Sequence, residues 1–260
     1  MNILKRVLVG VLLGLCVAAV GFWLWLSGHY VVPIVMYHKI DETETYKPNL
    51  VSSQSFHFQM NYLVKHKYNV VDLDTVVEDI KNHRRMPRKT VVITFDDGTI
   101  DNYAVAFPVL KKHHLPATIF LVAGFIDKPG YLTLDQILEM GKSGITFGSH
   151  SRTHAYLPQL TYEQQVDEIK NSKAILEDRL KDSVDYLAYP TGGYNDTIKD
   201  IIKEAEYKGA LTTNRGPHRL NKDVYALKRI RFTDRDIHGF NIWWKLFGCY
   251  NYFRKVRNPS

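Results

Sequence analysis

The sequence predicts an α/β domain whose parallel sheet is covered by helices, either open or closed into a barrel, carried behind one N-terminal membrane-spanning helix. Three observations predict it. From Val31 onward, short apolar runs alternate with helical patterns. Several of those runs are apolar almost throughout, as strands buried on both faces are. Residues Val7 to Leu26 then form twenty consecutive positions without a charge.

The uncharged run comes first in the chain. Lys5 and Arg6 precede it, and Trp23 and Trp25 close it. Its length suits a bilayer, with basic residues on the cytoplasmic side and aromatics at the far interface. A cleaved signal peptide would have a shorter apolar core and a small-x-small site, whereas this run ends "VGFWLWLSGHY". Leu15 is bulky before Cys16, where a lipoprotein signal needs a small residue. The expectation is an uncleaved anchor with everything after Ser27 outside the cytoplasm: a single-pass cell-membrane protein. Cys16 and Cys249 are the only cysteines, so no internal disulfide is expected. The net charge of +7 suits an anionic membrane or wall surface as well as nucleic acid, and a merely solvated basic surface is the alternative. No nucleic-acid motif is present, and nucleic acid is not an expected partner.

The 260 residues suffice for one or two domains, and 45% hydrophobic with 23% charged residues excludes a disordered chain. Strands are expected over 31–38, 69–73, 90–95, 117–124, 145–151, 185–190, 209–213 and 226–232. Helices are expected over 53–67, 74–83, 101–113, 133–142, 161–181 and 195–207. The first helix carries Phe56, Met60 and Leu63 at helical spacing. The longest opens on Thr161, an N-cap residue with acidic residues soon after. Past it, Phe240, Trp243, Trp244, Phe247, Tyr250, Tyr252 and Phe253 lie among Lys245, Arg254, Lys255 and Arg257. An interfacial helix, a sugar-stacking surface and a terminal helix packed on the barrel all remain open for this tail. The expected organisation is a cytoplasmic stub and anchor over 1–28, a catalytic domain over 29–238, and an aromatic, basic tail over 239–260.

In parallel α/β folds chemistry gathers at the carboxyl ends of the strands. Four expected strands end on Tyr37–His38, Asp96–Asp97, His150 and Tyr189–Pro190. The spacing of His150 and His154 lets both rings face one point if the chain takes a helical turn there, though a chance pair is an alternative among eleven histidines. With a carboxylate they make three ligands and leave one position open, as in a catalytic zinc site. "TVVITFDDGTIDN" can be a strand with a plain acidic turn. Next to two histidines it reads otherwise. Consecutive residues leaving a strand point in different directions, so one carboxylate can bind a metal while its neighbour stays free as a general base.

At these residues the chain resembles the polysaccharide deacetylases of carbohydrate esterase family 4, which share the NodB homology domain. Thr94-Phe95-Asp96-Asp97-Gly98 matches the first family motif and His150-Ser151-Arg152-Thr153-His154 the second. The likeness covers about residues 31–235 and implies a distorted (β/α) barrel. It also implies Asp96 as catalytic base, and Asp97, His150 and His154 as ligands of a divalent metal, zinc first, with cobalt or another divalent ion as alternatives. The third motif departs from the family form. Tyr189, Pro190, Thr191 and Gly192 stand in its place, with a backbone N–H of Thr191 or Gly192 as oxyanion donor. The family arginine that orients the base is missing; Arg229 and Arg231 are the substitutes, and Arg231 is carried as a site residue. The family motif that supplies a histidine as general acid has no clear match: His238, His218 and His38 are the candidates, and His38 is carried as a catalytic residue, with a hydrogen-bonded structural role as its alternative.

The resemblance implies a hydrolase that removes N-acetyl groups from an extracellular N-acetylglucosamine polysaccharide, and a monomer is expected. "VPIVMYHKI" and "YPTGGY" are similar to the poly-N-acetylglucosamine deacetylase branch, although some members space the histidine pair one residue wider. Poly-β-1,6-N-acetylglucosamine is therefore the first substrate; peptidoglycan, chitin oligomers and O-acetyl xylan are alternatives. Two other classes share features with the chain: a non-haem iron oxygenase, which also uses two histidines and a carboxylate, and an inactive carbohydrate-binding membrane protein.

Overall fold

Each strand of the main sheet runs parallel to its neighbours, and helices between most successive strands carry the chain back over the outside of the sheet. A computed structural model describes residues 3–28, 30–41, 50–214, 221–250 and 254. Helix α1 (Ile3–Gly28) leads into β1 (Ile34–Tyr37), β2 (Lys39–Asp41), β3 (Leu50–Ser52) and α2 (Ser53–Lys65). Then follow β4 (Asn69–Val70), α3 (Leu73–Lys81), β5 (Thr90–Phe95), α4 (Phe107–Lys112), β6 (Ala117–Leu121), α5 (Leu134–Gly141) and β7 (Ile145–Ser149). The chain continues through α6 (Tyr162–Val166), α7 (Ser172–Leu180), β8 (Tyr186–Ala188), α8 (Asp196–Glu204) and β9 (Gly209–Thr212). It closes with β10 (Leu227–Lys228), β11 (Ile230–Arg231) and α9 (Gly239–Leu246).

The sheet order is β10-β9-β8-β7-β6-β5-β1-β11, with β4 also paired to β5. Its two ends, β10 and β11, are separated by Arg229 alone. One bent stretch therefore pairs with β9 before Arg229 and with β1 after it, and the sheet curls into a nearly closed barrel. The register sets the strand ends level. Tyr37 lies opposite Phe95, and Leu121 lies opposite Ser149. The residues that follow β1, β5, β7 and β8 therefore meet at one pole.

Phe56, Met60 and Leu63 are fully buried on one face of α2. Phe56 meets Tyr37 edge-on at 5.2 Å and Phe95 at 5.9 Å, which fixes this helix beneath the site. Thr161 caps α6 in a reciprocal pair with Gln164, as its position predicts. The expected helix over 161–181 is interrupted by a π turn at Asp167–Asn171, and the one over 101–113 opens with a π turn at Asn102–Ala106. The short parallel pair β2–β3 has no counterpart in the sequence reading. The run at 226–232 is not one strand, because it must leave one edge of the sheet and join the other at Arg229.

In α1, Val7–Trp25 is long and apolar enough to cross a membrane, and none of it is buried against the protein. At about 1.5 Å per residue these 19 residues reach about 28 Å, close to the hydrocarbon thickness of a bilayer. On α9, Ile242 and Leu246 are buried while Phe240 and Trp243 are exposed. The start of the tail thus packs on the barrel through one face and presents aromatics on the other. Tyr252, Phe253, Lys255 and Arg257 lie outside the described residues. Neither Cys16 nor Cys249 is in a disulfide.

Gly148 sits where β7 crosses the packed interior. A Cβ there would lie 2.5 Å from a ring carbon of Phe120 and 2.9 Å from the Tyr186 carbonyl oxygen. The carbonyl belongs to β8 and cannot swing aside. Gly148→Ala is expected to cost about 1–3 kcal/mol, read as a lower urea midpoint at unchanged slope; an unchanged midpoint would show that the barrel wall yields.

Candidate active site

Asp96 and Asp97 leave β5 toward different partners. Asp96 is 1% exposed. Arg229 is fully buried and donates both terminal nitrogens to it, at 2.6 and 2.8 Å. The guanidinium also lies over the Phe120 ring at 5.6 Å. Burial alone would push the Asp96 carboxyl upward, but the charge of Arg229, with His150 and His38 beside it, holds it well below the usual carboxylate range. Asp96 is thus ionised at any working pH.

Asp97 takes a left-handed backbone, φ +74°, followed by Gly98 at +68°. Asp tolerates this conformation better than most residues, and a Cβ at position 98 would strike Leu121 at 2.7 Å. This double turn swings the second carboxylate away from the first. One Asp97 oxygen lies 3.5 Å from Nε2 of both His150 and His154.

His150 leaves β7 with its Nδ1 2.7 Å from the Ala188 carbonyl. A carbonyl only accepts, so Nδ1 carries the proton and Nε2 keeps its lone pair for the centre of the site. The two imidazoles converge, though not through a helical turn. Ser151 and His154 are left-handed, at φ +65° and +64°. Buried Glu168 accepts hydrogen bonds from the Arg152 and Thr153 N–H groups and from the Thr153 hydroxyl. The Ser151 hydroxyl accepts from the His154 N–H. A loop tied to one buried carboxylate brings the rings together in place of a helical turn.

One ligand atom each from Asp97, His150 and His154 lies within 4.8 Å of the others. Two imidazole nitrogens and a carboxylate suit zinc or a similar divalent ion. Burial raises the Asp97 carboxyl and lowers the His150 imidazole, both toward neutral forms, and a cation among them supplies the charge that burial disfavours. The three residues fit a metal.

His38 follows β1 with Nε2 3.8 Å from Asp96. Burial lowers its imidazole to about 4. Asp101 accepts the Ile40 N–H at 2.7 Å and the Asn102 amide donates to the His38 carbonyl at 3.4 Å, holding the segment in place. His238 is exposed at the start of α9. His218 lies outside the described residues.

In the third-motif loop the Tyr189 side chain turns away: its hydroxyl donates to the Tyr225 carbonyl and its ring stacks on Tyr194. The Tyr189 and Gly192 N–H groups are committed to Leu211 and Tyr189 carbonyls, and Pro190 has none to offer. Thr191, at φ +55°, is left with the N–H that makes no hydrogen bond among the described residues. Of the two arginines, Arg229 rather than Arg231 reaches Asp96. Arg231, half-buried, ends β11 with its charge felt at His38. In a straight strand both side chains share a face; the bend at Arg229 separates them. Glu168 escaped the sequence reading because one acid in a helix full of charges carries no local signal.

The profile of the polysaccharide deacetylase family matches residues 83–210. YxkH of Bacillus subtilis (strain 168), which carries a polysaccharide deacetylase name, is 32% identical over 200 residues, 77% of this chain and 71% of that protein. The poly-β-1,6-N-acetyl-D-glucosamine N-deacetylase of Staphylococcus aureus (strain MSSA476) is 27% identical over 198 residues, 71% of this chain and 68% of its own. Among solved structures, the Streptococcus pyogenes deacetylase PplD in complex with acetate superposes with a TM-score of 0.77 at 31% identity, covering 83% of this chain and 97% of that one.

Two outcomes are expected from this geometry. Arg229→Met strands the buried Asp96 carboxylate and should destabilise the fold by roughly 3–5 kcal/mol in urea titration, with part recovered in Asp96→Asn/Arg229→Met; a neutral single variant would refute the pair's structural weight. For His38, the folded group binds its proton only below about 4, whereas the unfolded one does so below about 6.5. Stability of the metal-free chain should therefore be full above pH 6.5 and fall as pH drops toward 4. His38→Gln should remove up to roughly 3 kcal/mol of that loss. An identical pH profile in His38→Gln would contradict the assignment.

Proposed function

The chain belongs to the polysaccharide deacetylase family, and from that premise we propose that it is a metal-dependent N-deacetylase of an extracellular N-acetylglucosamine polysaccharide, poly-β-1,6-N-acetylglucosamine first. The observation that carries the reading is the split of the two adjacent carboxylates, Asp97 toward two imidazoles and Asp96 toward Arg229. Asp97, His150 and His154 would hold a divalent metal, with zinc the ion favoured by the donor set. When bound, such an ion acidifies water and draws electron density from a carbonyl oxygen.

The chain's own residues supply the rest. Asp96, ionised and fixed by Arg229, takes the proton of the attacking water. Held so far below the usual range, it is a weak base, and it depends on water made acidic at the site. The Thr191 N–H donates to the oxygen that gains negative charge as the acetyl carbon becomes tetrahedral. His38 reaches this stage neutral. With Nε2 3.8 Å from Asp96, it takes up the water proton that Asp96 holds and passes it to the departing amine, which leaves Asp96 ionised and His38 neutral again. Acetate and a free amino sugar result.

Residues 1–28 serve as cytoplasmic stub and anchor, 29–238 as the catalytic domain and 239–260 as the tail. Lys5 and Arg6 before the apolar helix support a catalytic domain outside the cytoplasm. The relative from Staphylococcus aureus and the "VPIVMYHKI" and "YPTGGY" segments support the β-1,6-linked polymer.

Acetate release by the full chain tests the reading, after chelation and reloading with zinc or cobalt. The substrates are β-1,6-linked N-acetylglucosamine oligomers, peptidoglycan fragments and chitooligosaccharides. Release from the first alone is expected, restored by metal. Preference for another polymer overturns the substrate, and no metal dependence overturns the mechanism. Asp96→Asn should lose at least about a hundredfold in kcat with metal content unchanged; near-normal turnover would remove Asp96 from its role.

A further inference from the structure

The barrel has a second pole, and its chemistry differs from that of the catalytic one. The chain leaves α1 and enters β1 from the strand starts. Tyr30 there donates to the Thr90 carbonyl at the beginning of β5, and Val31 donates to the Gly248 carbonyl. The loop between α3 and β5, "NHRRMPRK" over 82–89, reaches the same pole because it feeds the start of β5. It contains Arg84, Arg85, Arg88 and Lys89 and no acid.

Between the exit of α1 and this loop lies a pocket of about 450 Å³. Val32, Ile80 and Met86 give it an apolar floor, and Arg85, Arg88 and Lys222 give it a basic rim. Asp79 also lines it, but Arg84 binds that carboxylate at 2.6 Å, so the two charges cancel. The Arg88 guanidinium lies 5.5 Å from the Trp23 ring, and Trp23 is close to the outer end of the apolar Val7–Trp25 segment. With that segment in a bilayer, Arg88 and the pocket rim sit at the level where phospholipid phosphates lie.

We propose that this pocket binds the headgroup of an anionic phospholipid, the phosphate on the arginine rim and the glycerol edge on the apolar floor. The arrangement docks the strand-start pole on the membrane. It aims the Asp96–Asp97 pole away from the membrane, toward polymer. The proposal rests on α1 lying in the membrane, as proposed above, and on no feature of the catalytic site.

The test uses the full chain. Flotation with phosphatidylcholine vesicles first reports whether α1 anchors it. Native mass spectrometry from detergent then reports lipid retained from equal amounts of phosphatidylglycerol and phosphatidylcholine. A preference for phosphatidylglycerol on the order of tenfold is expected. It should vanish in Arg85→Gln/Arg88→Gln and persist in Lys112→Gln/Lys142→Gln, which removes the same charge from exposed helix ends at this pole outside the pocket. Acetate release should be unchanged in both, which shows that the fold is intact. No preference in the native chain, or equal loss in both double variants, overturns the pocket while leaving the anchor standing. Failure to float overturns anchor and pocket together.

Discussion

The buried ion pair between Asp96 and Arg229 is the constraint on which the site depends. Taking two charges out of water costs several kcal/mol per ion before their attraction is counted. A hydrophobic pair in the same place would hold the barrel at least as well. What the pair provides is position. Arg229 stands at the bend where the last stretch of the sheet passes from β9 to β1, so closing the barrel and orienting the Asp96 carboxylate are one structural event. Both terminal nitrogens are engaged and Phe120 covers the guanidinium. Asp96 has no freedom to join Asp97 at the histidines.

The metal-ligand set is built on the opposite principle. Asp97, Ser151 and His154 all adopt left-handed backbones, each an unfavourable conformation for a residue with a side chain. They persist because neighbours fix them: Gly98 packs against Leu121, and Glu168 collects three hydrogen bonds from the His150–His154 loop. Strain at the strand ends is balanced by polar ties in the layer behind. The result is one carboxylate immobilised by charge and one directed by backbone, from adjacent positions in the chain.

Much of this was legible in the sequence. The apolar run at 90–95 is a strand with those bounds, and the four strand endings do meet at one pole, because the pattern of buried strands and returning helices admits few other topologies. The residues fixed by long-range geometry were not legible. Arg229 and Arg231 occupy equivalent positions in an alternating strand, and only the bend that closes the barrel distinguishes them. A spacing of four lets the His150 and His154 rings converge through a helical turn, but spacing does not report φ, and the left-handed residues reach the same end another way. The commitment of the Tyr189 and Gly192 N–H groups, which leaves Thr191, depends on the partners that β9 and the turn itself provide. The basic loop at 82–89 was visible as charge alone; its place beside Trp23 follows from the direction of β1 and β5.

The central claim, one aspartate for the metal and its neighbour for the proton, is open to direct observation. Anomalous diffraction at the zinc edge from crystals of the metal-loaded protein locates the ion without reference to activity. The account predicts one ion bound by Asp97, His150 and His154, with Asp96 unligated and still paired to Arg229. An ion bound through Asp96, or coordinated by His38, would contradict it.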